Sequence, residues 1–163
     1  MSRSFERTIF VILICSLPGI VYSAQPRVNS RFAQKFQIPG SAEVIVVAEG
    51  DLEPRSIGSY ALAVYGGKSK KFPTDDFITG VIRPRNGRVE DVKFEDVDND
   101  GKRDIIVIIR SAGSGGYISA DAFHYEKREL ELIGSVSDLD KNTDPVQGLR
   151  DKLRLLSKNR TAD

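Results

Sequence analysis

Residues 104–110 read DIIVIIR, five branched apolar residues in a row between two charged ones. A strand with one face in water alternates apolar and polar residues, and this run shows no such alternation. It predicts a strand that is buried on both faces, inside a sheet that is covered on both sides.

Further segments rich in β-branched and aromatic residues flank this run, and turn-forming residues separate them. Between two of these segments, Asn86 and Gly87 favour the positive φ angles of a tight hairpin turn. The predicted strands cover residues 43–49, 57–65, 77–83, 89–96, 104–110, 117–126 and 128–136. The sequence therefore predicts an all-β fold, an antiparallel β-sandwich of about seven or eight strands.

Only the C-terminal segment has helical periodicity. Asp144 can cap a helix, and Pro145 suits its first turn. Apolar residues recur on one face of this segment, at Val146, Leu149, Leu153 and Leu156. We expect one α-helix over residues 144–157 that packs on the sandwich.

The chain begins with the pattern of a secretory signal peptide: the basic residues Arg3 and Arg7, an apolar run over residues 9–20, and small residues at its end. The run is too short for a stable membrane span. We expect cleavage after Ser23, which removes residues 1–23, delivers the protein to the periplasm and leaves no membrane contact. Residues 24–163 then form a single domain, and its polar, aperiodic start, residues 24–35, predicts a flexible lead-in.

Charge and cysteine content limit the partners and the source of stability. The full chain has 24 basic and 23 acidic residues, so neither a nucleic acid nor an anionic membrane surface is expected as the main partner. The one cysteine, Cys15, lies in the predicted signal peptide. The mature protein would have no disulfide, and its core must supply the stability.

The motif DVDNDGKRD (96–104) places carboxylates at alternate positions before a glycine, as calcium-binding loops do. A helix-loop-helix calcium site is excluded, because its twelfth position is Val107, inside a predicted strand. A hairpin loop could still hold a structural calcium ion, or the side chains could bond their own backbone in a turn. The candidate ligands are Asp96, Asp98, Asp100 and Asp104.

The loop SAGSGGY (111–117) follows the central run and ends on a lone aromatic residue. Ala112, Ser114 and Gly116 have the spacing of a nucleophile elbow, but a strand pattern follows where that motif needs a helix. The chain has one histidine, His124, only ten residues beyond Ser114 on a predicted strand. A hydrolase needs the serine and the histidine to converge, so we do not expect an enzyme.

The sequence Ser114-Gly115-Gly116-Tyr117 is an S-G-x-Y motif, and the block 94–125 around it consists of an acidic hairpin, a buried strand, the loop and a returning strand. This block resembles the periplasmic inhibitors of invertebrate-type (I-type) lysozyme. The resemblance implies a β-domain, without a catalytic cofactor, whose loop enters the active-site cleft of lysozyme. It also implies a homodimer. In that arrangement Ser114 and Tyr117 contact the catalytic carboxylates, Gly115 and Gly116 shape the loop, and Gly113 and Ser111 are lesser members of it.

Two alternatives stay open at this point. Inhibitors of goose-type lysozyme carry a similar S-G-x-Y motif, so the motif does not choose the type of lysozyme. The chain could also be a calcium-stabilised secreted β-module that binds a glycan or a surface partner through other loops.

Overall fold

The computed structural model describes residues 31–160. The predicted signal peptide lies outside the described residues. Within them the chain forms eight strands and one helix: β1 Ala33–Gln37, β2 Val44–Glu49, β3 Gly58–Tyr65, β4 Phe77–Arg85, β5 Arg88–Glu95, β6 Asp104–Arg110, β7 Ile118–Glu126, β8 Glu129–Leu139 and α1 Pro145–Arg160.

The strands form two antiparallel sheets of four strands each, in the orders β1-β2-β3-β4 and β5-β6-β7-β8. Each sheet is a meander, in which every strand pairs with its neighbour in the sequence. The predicted all-β sandwich with one C-terminal helix is confirmed.

The main core lies between the two sheets. Alternate residues of each strand point inward, as the pleat of a strand requires. The first sheet contributes Ile45, Val47, Tyr60, Leu62 and Val64, and the second contributes Val89, Val92, Ile105, Val107, Ile109 and Phe123.

Strand β6 has a second buried face. Ile106 and Ile108 belong to a smaller cluster that includes Val146 and Leu149 of α1. The run 104–110 is therefore buried on both faces, as predicted, because the first sheet covers one face and the helix covers the other.

Helix α1 begins as its sequence predicts. The backbone N–H of Val146 donates to Oδ1 of Asp144 at 3.1 Å, which caps the first turn. The helix continues to Arg160, beyond the predicted end at residue 157. Leu156, at the end of the predicted apolar stripe, is 47% exposed, so the packed part of the stripe ends one turn earlier.

The flexible lead-in predicted for residues 24–35 is wrong at its end, and residues 24–30 lie outside the described residues. Strand β1 starts at Ala33 and pairs with β2 along its length. Four of its five side chains are exposed and only Phe36 is half-buried, so the strand shows no apolar alternation. Backbone pairing to an existing edge, which leaves no mark in the side-chain pattern, forms this strand.

The hairpin predicted at Asn86-Gly87 is also wrong. Strands β4 and β5 belong to different sheets, so this turn carries the chain from one sheet to the other. Gly87 alone of the pair has a positive φ, 133°. A Cβ at Gly87 would lie 2.1 Å from the carbonyl oxygen of Arg110 on β6, so the close approach of the corner to β6 requires glycine here.

The buried side chain of Arg85 holds this corner together. Its guanidinium donates to the carbonyl oxygens of Ser59 (3.0 Å), Arg55 (2.8 Å), Pro54 (3.1 Å) and Gly87. Glu49 Oε1 lies 4.0 Å from Arg85 Nε and balances the charge. An arginine can satisfy several carbonyls at once because its donors form a fixed fork, and here they fix the corner to the loop between β2 and β3.

A buried polar cluster joins the two sheets. The hydroxyl of Tyr60 on β3 donates to Asp121 Oδ2 on β7 at 2.7 Å. Arg83 Nε on β4 donates to the same carboxylate oxygen at 3.2 Å, and Ser135 Oγ on β8 donates to Oδ1 at 2.5 Å. Burial, followed by the Asp121 charge, raises the pKa of Tyr60, so this phenol stays protonated and remains a donor.

Candidate functional site

The loop of residues 111–117 joins β6 to β7, two strands paired inside the second sheet. The backbone N–H of Ser111 donates to the carbonyl oxygen of Tyr117 at 2.8 Å, so the strand ladder continues into the base of the loop. A loop that starts from two buried, paired strands has a fixed origin and direction.

The tip of the loop is a tight turn. The backbone N–H of Gly116 donates to the carbonyl oxygen of Gly113 at 3.1 Å, which places Ser114 and Gly115 at the two central positions. Ser111 Oγ accepts a hydrogen bond from the N–H of Gly113 at 3.2 Å. Gly116 has a φ of 58°, a conformation that glycine adopts without strain.

The ring of Tyr117 lies back over Gly115. A Cβ built on Gly115 would be 2.5 Å from one carbon of the Tyr117 ring, so only a residue without a side chain leaves room for the ring there. Tyr117 as a whole residue is nevertheless 49% exposed. The loop therefore presents an aromatic face in a position that the turn itself fixes.

Arg110, the last residue of β6, supports the loop from below. Its Nη1 donates to the carbonyl oxygen of Gly116 at 3.0 Å. Its Nε donates to Glu90 Oε1 on β5 at 2.7 Å, and this hydrogen bond raises the pKa of Arg110. The sequence interpretation missed Arg110 and Glu90. The one available signal was an arginine directly before a glycine-rich loop.

The structure brings all of the predicted loop residues into one exposed feature: Ser111, Gly113, Ser114, Gly115, Gly116 and Tyr117. It does not bring His124 to Ser114. The imidazole of His124 lies at the other end of β6, where its Nδ1 is 3.1 Å from Asp104 Oδ1. At about 3.3 Å per residue, the length of β6 separates the two groups by roughly 20 Å.

The four predicted metal ligands do lie together, at that far end. Oxygens of Asp96, Asp98 and Asp104 fall within 4.8 Å of one another, as do ligand atoms of Asp98, Asp100 and His124. The acidic loop of residues 96–104 is thus a genuine cluster, and it is separate from the glycine-rich loop.

The carboxylates of the acidic loop already bind the backbone of the same loop. Asp96 accepts hydrogen bonds from the N–H groups of Asn99 (2.7 Å) and Gly101 (3.0 Å). Asp98 accepts from Asp100 N at 3.1 Å, Asp100 from Lys102 N at 2.7 Å, and Asp104 from Val97 N at 3.0 Å.

A cation also lies beside these carboxylates. The Lys102 ammonium forms an ion pair with Glu126 at 2.8 Å. The hydrogen bond to Glu126 and the nearby charges of Asp100 and Asp98 raise the pKa of Lys102. Burial raises the pKa of the Asp104 carboxyl, and the hydrogen bonds from Val97 and His124 oppose that shift. The arrangement can close a turn through its own side chains.

Among the described residues, no helix is both long enough and apolar enough to cross a membrane.

Comparison with known proteins identifies the family. Residues 30–153 match the family model described as periplasmic lysozyme inhibitor of I-type lysozyme. A comparison with curated protein sequences returned no significant match.

Two solved structures resemble this one. One is PliI-Ah, the periplasmic lysozyme inhibitor of I-type lysozyme from Aeromonas hydrophila, with 40% sequence identity and a TM-score of 0.67 over 72% of this chain and 98% of that chain. The other is A. hydrophila PliI in complex with Meretrix lusoria lysozyme, with 39% identity and a TM-score of 0.67 over 73% of this chain and 95% of that chain. The family match spans more than half of the sequence and the structural match covers almost all of each relative, so this chain belongs to the family of periplasmic lysozyme inhibitors of I-type lysozyme.

Proposed function

We propose that this protein inhibits I-type lysozyme in the periplasm by inserting the loop Ser114–Tyr117 into the active-site cleft. One observation carries the proposal: an exposed tyrosine ends a loop that is closed by backbone hydrogen bonds, and its ring lies back against Gly115 at the loop tip. A surface loop shaped in advance loses little conformational entropy when it binds a groove.

The chemistry of the loop suits the chemistry of the cleft. Lysozymes act through two carboxyl groups that flank the scissile bond, in a groove shaped for a sugar chain. The Ser114 hydroxyl and the Tyr117 phenol are donors that can bond ionised carboxylates at short range. Glycine at positions 113, 115 and 116 keeps the loop narrow, so the backbone can follow these two donors into a groove.

The comparisons support the class of target. The related A. hydrophila PliI is solved in complex with a lysozyme of Meretrix lusoria. The S-G-x-Y motif alone does not separate I-type from goose-type targets, whereas the family match favours I-type lysozyme. We assign the protein the role of an inhibitor without catalytic activity of its own, exported by the signal peptide of residues 1–23.

The acidic loop has a structural role in this proposal. It lies at the opposite end of β6 from residues 111–117, which we call the inhibitory loop. The carboxylates of the acidic loop close its turn by binding backbone N–H groups. On this basis inhibition needs no metal ion. A homodimer, which the family resemblance implies, stays a prediction that analytical ultracentrifugation of the mature chain tests.

The test is a titration of lysozyme activity on a cell-wall suspension with the mature protein. I-type, chicken-type and goose-type lysozymes are assayed in parallel, with the double variant Ser114→Ala/Tyr117→Ala. We expect inhibition of the I-type enzyme, and a loss of at least about thirtyfold in affinity for the variant, since an anchoring tyrosine contributes about 2 kcal/mol or more.

A matched control removes a serine and an exposed aromatic residue at the other end of the sandwich, Ser69→Ala/Phe72→Ala. It should inhibit as the wild type does. Full activity of all three lysozymes at micromolar inhibitor would refute the proposed function. Equal loss in both double variants would refute the role of the loop.

A further inference from the structure

A pocket of about 480 Å³ opens beside the base of the inhibitory loop. It lies where the corner between the two sheets meets the loop that joins β2 to β3. Its wall contains three arginines from three separate segments, together with an acidic residue and the first two residues of the loop. We name it the arginine pocket and define it by Arg55, Arg88, Arg110, Glu49, Ser111 and Ala112.

Glu49, the acidic residue of the pocket, already binds other groups of the protein. Glu49 Oε1 accepts a hydrogen bond from the N–H of Val89 at 2.6 Å and lies 4.0 Å from Arg85 Nε. Only 4% of the Glu49 side chain is exposed. The buried Arg85 thus balances the charge of Glu49. The Glu49 carboxylate binds the backbone of Val89 and is not available to a ligand in the pocket.

The three arginines differ in what they already bind. Arg110 pairs with Glu90 and supports Gly116. The carbonyl oxygen of Arg55 accepts a hydrogen bond from the buried Arg85, which anchors that segment. Arg88 is exposed at the start of β5, and within residues 31–160 it forms no ion pair. The pocket therefore carries positive charge on a protein whose total charge is close to zero.

The position of the pocket decides what can reach it. Ser111 and Ala112 form part of its wall and are also the first residues of the inhibitory loop. A cleft that encloses Ser114 and Tyr117 must bring its rim over these two residues. Lysozymes act through two carboxyl groups in the cleft, so the groove that receives the loop holds negative charge, which cationic side chains beside the loop complement.

We propose that the arginine pocket receives a carboxylate side chain from the rim of the lysozyme cleft, with Arg88 as its principal contact. This inference rests on the proposed function and adds a second contact point to it. Tyr117 of the loop supplies the anchor in the cleft, and the pocket supplies charge that steers the approach and fixes the orientation of the two proteins.

The experiment measures association and dissociation rates with an I-type lysozyme that the wild-type protein inhibits, at low and at high ionic strength. The variants are Arg88→Ala and Arg88→Lys, and Lys70→Ala is the matched control. Lys70 is an exposed cation in the loop between β3 and β4, at the other end of the first sheet. Arg110 is left intact because it supports the inhibitory loop, and thermal melting of each variant checks its fold.

We expect Arg88→Ala to weaken binding about fivefold at low ionic strength, mainly through slower association. The loss should shrink as salt is added, because salt screens charges on the surface. Arg88→Lys should keep most of the salt-dependent contribution to the binding affinity, because it keeps the positive charge. Lys70→Ala should bind as the wild type does.

The possible failures are distinct. If Arg88→Ala binds like the wild type at low salt while Ser114→Ala/Tyr117→Ala does not bind, the arginine pocket does not contact lysozyme and the proposed function stands. If Lys70→Ala loses as much affinity as Arg88→Ala, the effect comes from total charge and the pocket proposal is overturned. If the wild-type protein inhibits no lysozyme, both proposals fail.

Discussion

The phenolic oxygen of Tyr60 lies 2.7 Å from Oδ2 of Asp121, and this hydrogen bond crosses from one sheet of the sandwich to the other. The same carboxylate also receives Arg83 from the first sheet and Ser135 from its own. Asp121 is therefore the common acceptor of a polar cluster that sets how the two sheets face each other.

Removal of that acceptor should be costly. Asp121→Ala leaves the Tyr60 hydroxyl and the Arg83 guanidinium without their shared partner, so we expect a loss of about 3 kcal/mol in the free energy of unfolding. Urea denaturation measures it. Asp75→Ala, an exposed aspartate in the loop between β3 and β4, serves as control and should stay within about 0.5 kcal/mol of the wild type. Equal stability of the two variants would contradict the role of the cluster.

The contact between Gly115 and the Tyr117 ring can be isolated by a double-mutant cycle. Gly115→Ala adds a methyl group where the ring lies, so the ring must move, and we expect weaker inhibition with both donors still present. Once Tyr117→Ala has removed the ring, Gly115→Ala should cost little more, because the two effects share one cause. Independent, additive losses would mean that Gly115 acts in some other way.

A second variant controls for the extra methyl group itself. A Cβ on Gly113 would meet only Ser111 Oγ, at 3.5 Å, which is an ordinary contact. The near-ultraviolet signal or the NMR resonances of Tyr117 should therefore change in Gly115→Ala and stay unchanged in Gly113→Ala.

The loop between β2 and β3 should loosen in acid. The hydrogen bond from the backbone N–H of Ser59, followed by that from its hydroxyl, lowers the pKa of Glu53 below its ordinary value of 4.5. A carboxyl with a lowered pKa in the folded state stabilises the fold above its ordinary pKa, and the contribution disappears as the pH falls through the lower, folded value.

Comparison of the wild type with Glu53→Gln at several pH values tests the direction of this pKa shift. The difference in urea midpoint should be constant from pH 7 down to about 5 and should vanish as the pH falls further. A difference that grows in acid would contradict the lowered pKa.

Calcium chelation should leave the protein unchanged. The acidic loop closes through hydrogen bonds from its own backbone, and Lys102 lies beside its carboxylates. We expect the melting temperature to be the same in EDTA and in millimolar calcium. A rise in melting temperature with calcium would favour the calcium-stabilised module and give the four aspartates a metal-binding role.

Strand β6 and the loop after it show which features could be predicted from the sequence and which could not. Five consecutive branched apolar residues favour a strand that is covered on both faces, and the shortness of the run and its β-branched residues favour a strand over a helix, so the sequence indicated the central position of β6. The loop after it could be located, because three glycines and one tyrosine have few uses at the end of a buried strand. The supporting roles of Arg110 and Glu90 could not be derived, since the pairing of β5 with β6 brings together residues that are distant in the chain.

Two local signals were outweighed by distant contacts. Asn86-Gly87 is a strong hairpin signal, but the four carbonyl oxygens gathered by Arg85 hold the chain in a corner between sheets. Strand β1 gives the opposite case: it has little strand signal of its own, and the open edge of β2 supplies its hydrogen bonds.

The meander order of both sheets also determines how the chain can assemble. Every strand pairs with its neighbour in the sequence, so each sheet can form from short-range contacts, which favours rapid folding. The inhibitory loop, Arg110 and Glu90 all belong to the second sheet. We therefore expect this part of the molecule to acquire its shape once β5, β6 and β7 have paired, and docking of the first sheet to follow as a later kinetic step.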